Sequence, residues 1–379
     1  MADRIYVLLE GGKNRTSLET VLRKERLRWE IQLFEAPEEF LHTHRHSPCS
    51  LAMADVDNRS GSGLLTHLKE ESPGVIRVAM ADQFSLHSFL ESTPVAHQCL
   101  ARPFESRAPV RLMDRALRLR EELGQRQWDQ LFLGDDGLPM IPRLYTRLVC
   151  VLASRDPDLD EVTSLIQEDP GICARILRVV NSAYFGLRRE LTTVREAVVF
   201  LGTRILQELV LSEEVFRLFS VPTAVENIVN ELQEHSRRTA AFGMKFFPRR
   251  PEGIYLAGVL HEIGTMKVLS ASSRDGEPTL DLPDADTRAR MTSTLLSLWG
   301  ITPMIAEAIA HHLTPHRCPK GASDLTAALH LSEELSRQGV SSVIQDLHRG
   351  SQLQEEFLES SPVISRPLNW YRTQTLGGS

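Results

Sequence analysis

The sequence contains no CxxC pair. Its five cysteines, Cys49, Cys99, Cys150, Cys173 and Cys318, are scattered and odd in number. That arrangement indicates neither a disulfide framework nor a zinc ribbon. No apolar run approaches the ~18 residues needed to span a bilayer. The opening stretch, Met1 to Glu10, lacks the layout of a secretory signal peptide. An excess of basic residues is missing too: 43 Lys and Arg stand against 50 Asp and Glu, for a net charge of -7. Such a chain has no field that draws it generally to DNA or to an anionic membrane. A local basic patch and specific nucleotide binding stay open. Internal repeats and low-complexity tracts are not evident. Together these absences predict a reduced, cytoplasmic, soluble protein.

What is present is enough for two or three domains, since 379 residues exceed the roughly 100–200 of one. Hydrophobic residues make up 42% and charged residues 25%, the balance of a globular chain with a core to bury. Over the first ~120 residues, short apolar runs alternate with amphipathic stretches, the pattern of a parallel α/β domain. Strands are predicted at Ile5–Leu9, Trp29–Phe34, Ser50–Ala54, Val75–Met80 and Ala96–Leu100. Helices are predicted near Thr16–Leu27, Pro37–His42, Gly63–Glu70, Phe84–Glu91 and Ala108–Glu122. Five β-α units imply a flavodoxin-like doubly wound sheet, with its crevice at the carboxyl ends of the strands.

Glycine and polar residues then cluster, placing a linker at 124–137. The reading beyond it is almost wholly helical. Asp169-Pro170 starts one helix with a cap and a first-turn proline. Thr193 to Glu196 has capping-box spacing. Val225, Ile228, Leu232, His235, Thr239 and Phe242 recur at three and four, which puts His235 on a buried stripe. Ile305, Ala308, Ile309 and His312 do the same. The expected division is 1–123, a linker at 124–137, a helical domain at 138–345 and a tail at 346–379.

In the first domain, Ala54-Asp55-Val56 with Gly63-Leu64 beyond it, Ile76 to Ala81, and Ala101-Arg102-Pro103-Phe104 together resemble the receiver domain of bacterial response regulators. Receiver chemistry needs a carboxylate nucleophile, acids for Mg²⁺, and a lysine and a hydroxyl for the phosphoryl oxygens. The resemblance makes Asp55 the phosphoacceptor. The acid pair is reduced to Glu10 followed by Gly11, the hydroxyl position holds Ala81, and the lysine position holds Arg102, a planar fork in place of a point charge. The expectation is therefore a pseudo-receiver that supplies a protein-binding or dimerising surface; phosphorylation of Asp55 with Mg²⁺ is the alternative. His42, His44 and His46, with Cys49 nearby, have an alternating spacing that fits an extended surface loop, which is either bland or a transition-metal site.

In the second domain, an ordered set carries a further resemblance. It runs through Asp169 to Ile176, Asn181-Ser-Ala-Tyr-Phe-Gly186, Ala197 to Gly202, Gly258-Val-Leu-His-Glu-Ile-Gly264, Leu298 to Ile301 and Ala308 to His312. In that order these resemble the HDOD domain, a relative of the HD metal phosphohydrolases, over about 138–340. The resemblance implies a degenerate metal site at His235, His261, Glu262, Arg288, His311 and His312. Glu262 stands where the superfamily has Asp, Thr265 where it has Lys, and Arg288 where it has a metal-binding His. A guanidinium repels a metal and can pair with Glu262 instead, so no metal, no cofactor and no catalytic residue are expected. Equally, His235 and His312 can be core histidines.

Asn181, Tyr184, Phe185, Arg188 and Arg189 form a candidate ligand or partner surface. The competing readings are a helix-ending Asn, aromatic packing and a solvated basic face. The resemblances imply a signalling adaptor that binds other signalling proteins, self-associates, and serves motility, biofilm or cyclic-dinucleotide signalling. The alternatives are a metal-dependent phosphodiesterase, a regulator driven by Asp55 phosphorylation, and a cyclic-dinucleotide sensor.

Overall fold

The computed structural model describes residues 4–9, 18, 29–57, 59–82, 95–102, 109–114, 116–117, 142–152, 157–181, 189, 191–218, 225–247, 253–272, 282–319 and 322–337. The chain divides into two compact units, one made of residues 1–147 with 297–300 and the other of the remaining residues.

The first unit is built on five strands: β1 Arg4–Leu8, β2 Glu30–Phe34, β3 Leu51–Asp55, β4 Ile76–Asp82 and β5 Gln98–Arg102. They form one parallel sheet in the order β2-β1-β3-β4-β5. The expected strands match these within two residues. All five residues of β3 are buried, as a central parallel strand covered on both faces requires. β2, at the edge, has solvent-facing positions. The order reverses at β1, so the crevice lies beyond the carboxyl ends of β1 and β3. Asp55 is the last residue of β3.

Two helices of this unit carry corrections. Helix α1 runs Pro37–His46, four residues beyond the expected His42 end, and absorbs the segment read as an extended loop. Pro37 opens it, Glu38 and Glu39 lie in its first turn, and His44, Arg45 and His46 lie in its last. That charge order complements the helix dipole at both ends. Helix α2 spans Arg59–Glu71 and passes tightly over β3. A Cβ on Gly61 would sit 1.7 Å from the Asp55 carbonyl oxygen, so only glycine fits there. Residues 109–114 are helical, as expected, and Met113 and Ala116 are buried. The helices expected at 16–27 and 84–91, the linker and the tail fall outside the described residues.

Beyond residue 142 the described elements are all helical, as predicted. They are α3 Arg143–Leu152, α4 Leu159–Gln167, α5 Pro170–Val180, α6 Val194–Leu218, α7 Glu226–Phe246, α8 Ile254–Leu260, α9 Ile263–Ser272, α10 Ala285–Leu298, α11 Pro303–His311 and α12 Ser323–Ser336, with a 3₁₀ turn at Pro315–Arg317. Asp169 caps α5 by accepting the Ile172 amide at 3.0 Å. The capping box of α6 is formed: Thr193 Oγ1 accepts from the Glu196 amide at 3.2 Å, and Glu196 Oε2 accepts from the Thr193 amide at 3.3 Å. Gly202 interrupts α6 with a φ of 71°, a conformation glycine adopts without steric cost.

Candidate functional site

The receiver-like crevice is sparsely armed. Asp55 is buried, and its Oδ1 accepts the Asp57 amide at 3.1 Å. Ala81, on β4, is buried and brings no hydroxyl. Arg102 ends β5; Glu10 and Gly11 lie outside the described residues. The three histidines of α1 do not converge. Residues two apart on a helix point to nearly opposite sides. His42 and His46 lie exposed on the outside, with tilted rings whose centroids are 4.6 Å apart. His44 turns inward, where its Nδ1 accepts the Cys49 amide at 3.2 Å and its Nε2 lies 3.1 Å from Ser72 Oγ. Burial pushes the His44 pKa down.

The helical unit holds a buried polar cluster. His235 comes from α7, His261 and Glu262 from the turn between α8 and α9, and Glu333 from α12. Two glycines let these elements close. A Cβ on Gly258 would lie 2.6 Å from the Ala240 Cα, and one on Gly264 would lie 2.4 Å from the Arg288 carbonyl oxygen. Thr292 fastens the turn from α10: its hydroxyl donates to the His261 carbonyl at 3.0 Å and accepts the Gly264 amide at 2.9 Å.

Glu333 is the hub. His235 Nε2 lies 3.1 Å and 3.0 Å from its two oxygens. His261 Nε2 lies 2.8 Å from Glu333 Oε2 and 3.5 Å from Glu262 Oε1. Thr239 Oγ1 donates to Oε2 at 3.3 Å, and Arg337 Nε donates to Oε1 at 3.3 Å. His235 and Glu333 are fully buried, and His261 and Glu262 are 2% and 4% exposed. One donor atom from each of His235, His261, Glu262 and Glu333 lies within 4.8 Å of all the others. Two imidazoles and two carboxylates are a donor set that suits a divalent first-row metal.

Electrostatics follow from this enclosure. Burial disfavours the His261 imidazolium, but Glu333 and then Glu262 outweigh it and push its pKa up to about 9. Burial also disfavours the Glu333 carboxylate, yet His235 and His261 hold its pKa well below the ordinary range. His312 sits edge-on to His261, with ring centroids 5.4 Å apart. Burial, then the neighbouring His261, push its pKa down to about 3.

The structure sorts the expected site residues. His235, His261 and Glu262 come together. The extra methylene of Glu262 does not remove its carboxylate from the cluster. His312 is adjacent but buried in the core, with its Nδ1 donating to the Ile309 carbonyl at 2.7 Å. His311 is a correction: it faces outward from α11, 3.5 Å from Glu307, because its neighbour His312 takes the inward position. Arg288 is buried, and its Nε donates to Thr265 Oγ1 at 3.0 Å. Burial lowers its pKa, while Glu262 and Asp284 support its charge. Asn181 binds backbone in both directions, donating to the Leu191 carbonyl and accepting the Leu191 amide, each at 2.8 Å. Arg189 is exposed and pairs with Glu196 at 2.9 Å. Tyr184, Phe185 and Arg188 lie outside the described residues.

Glu333 is the residue that sequence reading missed. Its signal was a carboxylate one turn beyond the buried Leu329, in a helix whose other sides are also buried, at Leu331 and Leu335. A buried acid almost never stands without a partner.

Residues 138–315 match the HDOD domain family. An uncharacterized protein of Treponema pallidum (strain Nichols) is 25% identical over 201 residues, 48% of this chain and 39% of that protein's length. This chain therefore spans well under half of that relative. A solved structure from Shewanella amazonensis SB2B, provisionally described as a metal-dependent phosphohydrolase, is 19% identical. It covers 68% of this chain and 97% of its own, with a TM-score of 0.47. The signal receiver domain of an HD domain-containing protein from Pseudomonas fluorescens Pf-5 is 13% identical over 33% of this chain and 93% of its own, with a TM-score of 0.30. The ordered motifs and the helical architecture agree with that match, which places an HDOD-like domain at residues 138–315.

Proposed function

We propose that the chain is a non-catalytic signalling adaptor that acts by binding other signalling proteins. The observation that carries this reading is the enclosure of the one histidine–carboxylate cluster found among the described residues: all four residues are 4% exposed or less. A metal-dependent phosphohydrolase has to present an open coordination position and an activated water to its ester. Here the carboxylate of Glu333 is met by His235, His261, Thr239 and Arg337 of the same chain. In the first unit, Ala81 and Arg102 take the places where receiver chemistry uses a hydroxyl and a lysine. That favours a protein-binding surface over phosphoryl transfer. Motility, biofilm or cyclic-dinucleotide signalling are the outputs this layout fits.

The test is turnover. The full chain is incubated with Mn²⁺, Fe²⁺ or Mg²⁺ and with a chromogenic phosphodiester or a cyclic dinucleotide. No hydrolysis above background is expected. Hydrolysis that disappears in His261→Ala would overturn the adaptor reading. For the receiver-like unit, a small phosphodonor with Mg²⁺ should leave the intact mass unchanged. A phosphate adduct lost in Asp55→Asn would make the chain a phosphorylation-driven regulator instead.

A further inference from the structure

We propose that His42 and His46 form an exposed chelating site on α1 for one late first-row divalent metal ion, Cu²⁺ first and Zn²⁺ after it. The site belongs to the receiver-like unit and does not depend on the adaptor reading.

The first support is spacing. His44 falls on the buried side of α1. His42 and His46, four residues apart, occupy successive turns of one exposed face. Two histidines at that spacing chelate, because both rings reach a single ion. Their ring centroids are 4.6 Å apart and their planes meet at 46°. Two imidazoles bonded to one ion at about 2.0–2.1 Å hold their centroids roughly 4.5–5.2 Å apart for bond angles of about 90–110°. The rings already stand at that separation, so little ordering is left for the ion to impose.

The second is the state of His46. Its Nδ1 lies 2.9 Å from the His42 carbonyl oxygen. A carbonyl only accepts, so Nδ1 carries the proton. The neutral ring then keeps its lone pair on Nε2, the nitrogen that a metal would take. A backbone carbonyl on the far nitrogen is how proteins orient a metal-binding imidazole.

The third is local charge. His46 ends α1, and the carbonyl end of a helix favours a cation. Glu38, one turn before His42, continues the same exposed row, with Glu39 beside it; Arg45 is the base between the histidines. Two carboxylates against one guanidinium leave a face that a divalent ion can approach. Two imidazoles fill half of a four-coordinate shell, so the ion keeps positions for water or an outside donor.

The experiment uses the full chain without a histidine tag, stripped with EDTA, desalted and titrated by calorimetry at mildly alkaline pH with Cu²⁺ and, separately, Zn²⁺. One ion per chain is expected at this site, with Cu²⁺ the tighter. His42→Ala and His46→Ala should each weaken Cu²⁺ binding at least tenfold, since either change removes a second donor held beside the first. Both side chains are exposed, so circular dichroism and Tm should match the wild type. His311→Ala should bind as the wild type does. Electron paramagnetic resonance of the wild-type Cu²⁺ complex should show splitting from two nitrogens. Unchanged affinity in either single variant, or splitting from one nitrogen, would reduce the pair to a lone surface imidazole and overturn the chelate. Wild-type affinity in the double variant His42→Ala/His46→Ala would place the metal elsewhere and overturn it too. So would a wild type that binds no metal. None of these readouts involves turnover, so they stand apart from the test of the adaptor reading.

Discussion

His235 on α7 and Glu333 on α12 lie 98 positions apart in sequence, and their side chains meet at 3.0 and 3.1 Å in the interior of the helical unit. Once both are buried, removing either partner strands the other's polar group in a dry environment.

Glu333→Ala should therefore destabilise the protein by about 3–5 kcal/mol, the range for removing one partner of a buried ion pair. Urea unfolding followed by circular dichroism measures it. A loss below about 1 kcal/mol would mean that His235 and His261 find other partners and that Glu333 is not the hub.

Gly258 and Gly63 should respond oppositely to alanine. At Gly258 the new methyl would strike the Ala240 backbone at 2.6 Å, while at Gly63, in α2, nothing lies within 4 Å. Gly258→Ala should cost at least about 1–3 kcal/mol by overpacking. Gly63→Ala should gain about 0.5–1 kcal/mol by lowering the entropy of the unfolded chain. Equal effects in thermal melts would contradict the close approach of α8 to α7.

Acid should weaken the helical unit through His330. This residue is 1% exposed, and its Nδ1 donates to the His312 carbonyl at 2.7 Å. Burial pushes its pKa down to about 4, below the ~6.5 of an unfolded chain. The unfolded state thus takes up a proton first as pH falls. Stability from this group is unchanged above about 6.5 and declines between about 6.5 and 4, by about 2 kcal/mol at pH 5. His330→Asn keeps a donor near Nδ1 and does not titrate there. Its Tm should fall less between pH 7 and 5 than that of the wild type. Parallel pH profiles would show that His330 is not the group responsible.

Thr193→Ala should remove the reciprocal cap of α6 and cost about 1 kcal/mol. Thr193→Ser, which keeps the hydroxyl, should stay within a few tenths of that value of the wild type. If both variants lose the same stability, the hydroxyl bond to the Glu196 amide contributes nothing.

Much of this architecture was legible from residues alone. The strands announced themselves because a parallel sheet buries short unbroken apolar runs such as Leu51–Ala54. The caps at Asp169 and Thr193 were readable because their chemistry is local. Helix α1 runs past the expected end because acids in its first turn and Arg45 in its last favour helix through His46, whatever the spacing of two among His42, His44 and His46 suggests. The cluster was only half legible. His235, His261 and Glu262 lie on recognisable patterns, but Glu333 reaches them through tertiary packing that no window of sequence records. His311 and His312 were indistinguishable in sequence, since adjacent helical positions differ in direction by about 100°, and only the fold decides which one faces the core.

The span from His235 to Glu333 also has a kinetic meaning. Closing a loop of 98 residues costs about 4 kcal/mol of chain entropy plus a constant. During synthesis α7 and α8 emerge first and cannot complete their interior charges until α12 follows. A nascent or clipped chain ending before α12 carries buried imidazoles without their carboxylate. Such a fragment should open readily to proteases and chaperones. Helix α12 thus marks completion of this interior: only a chain synthesised through Glu333 can close it.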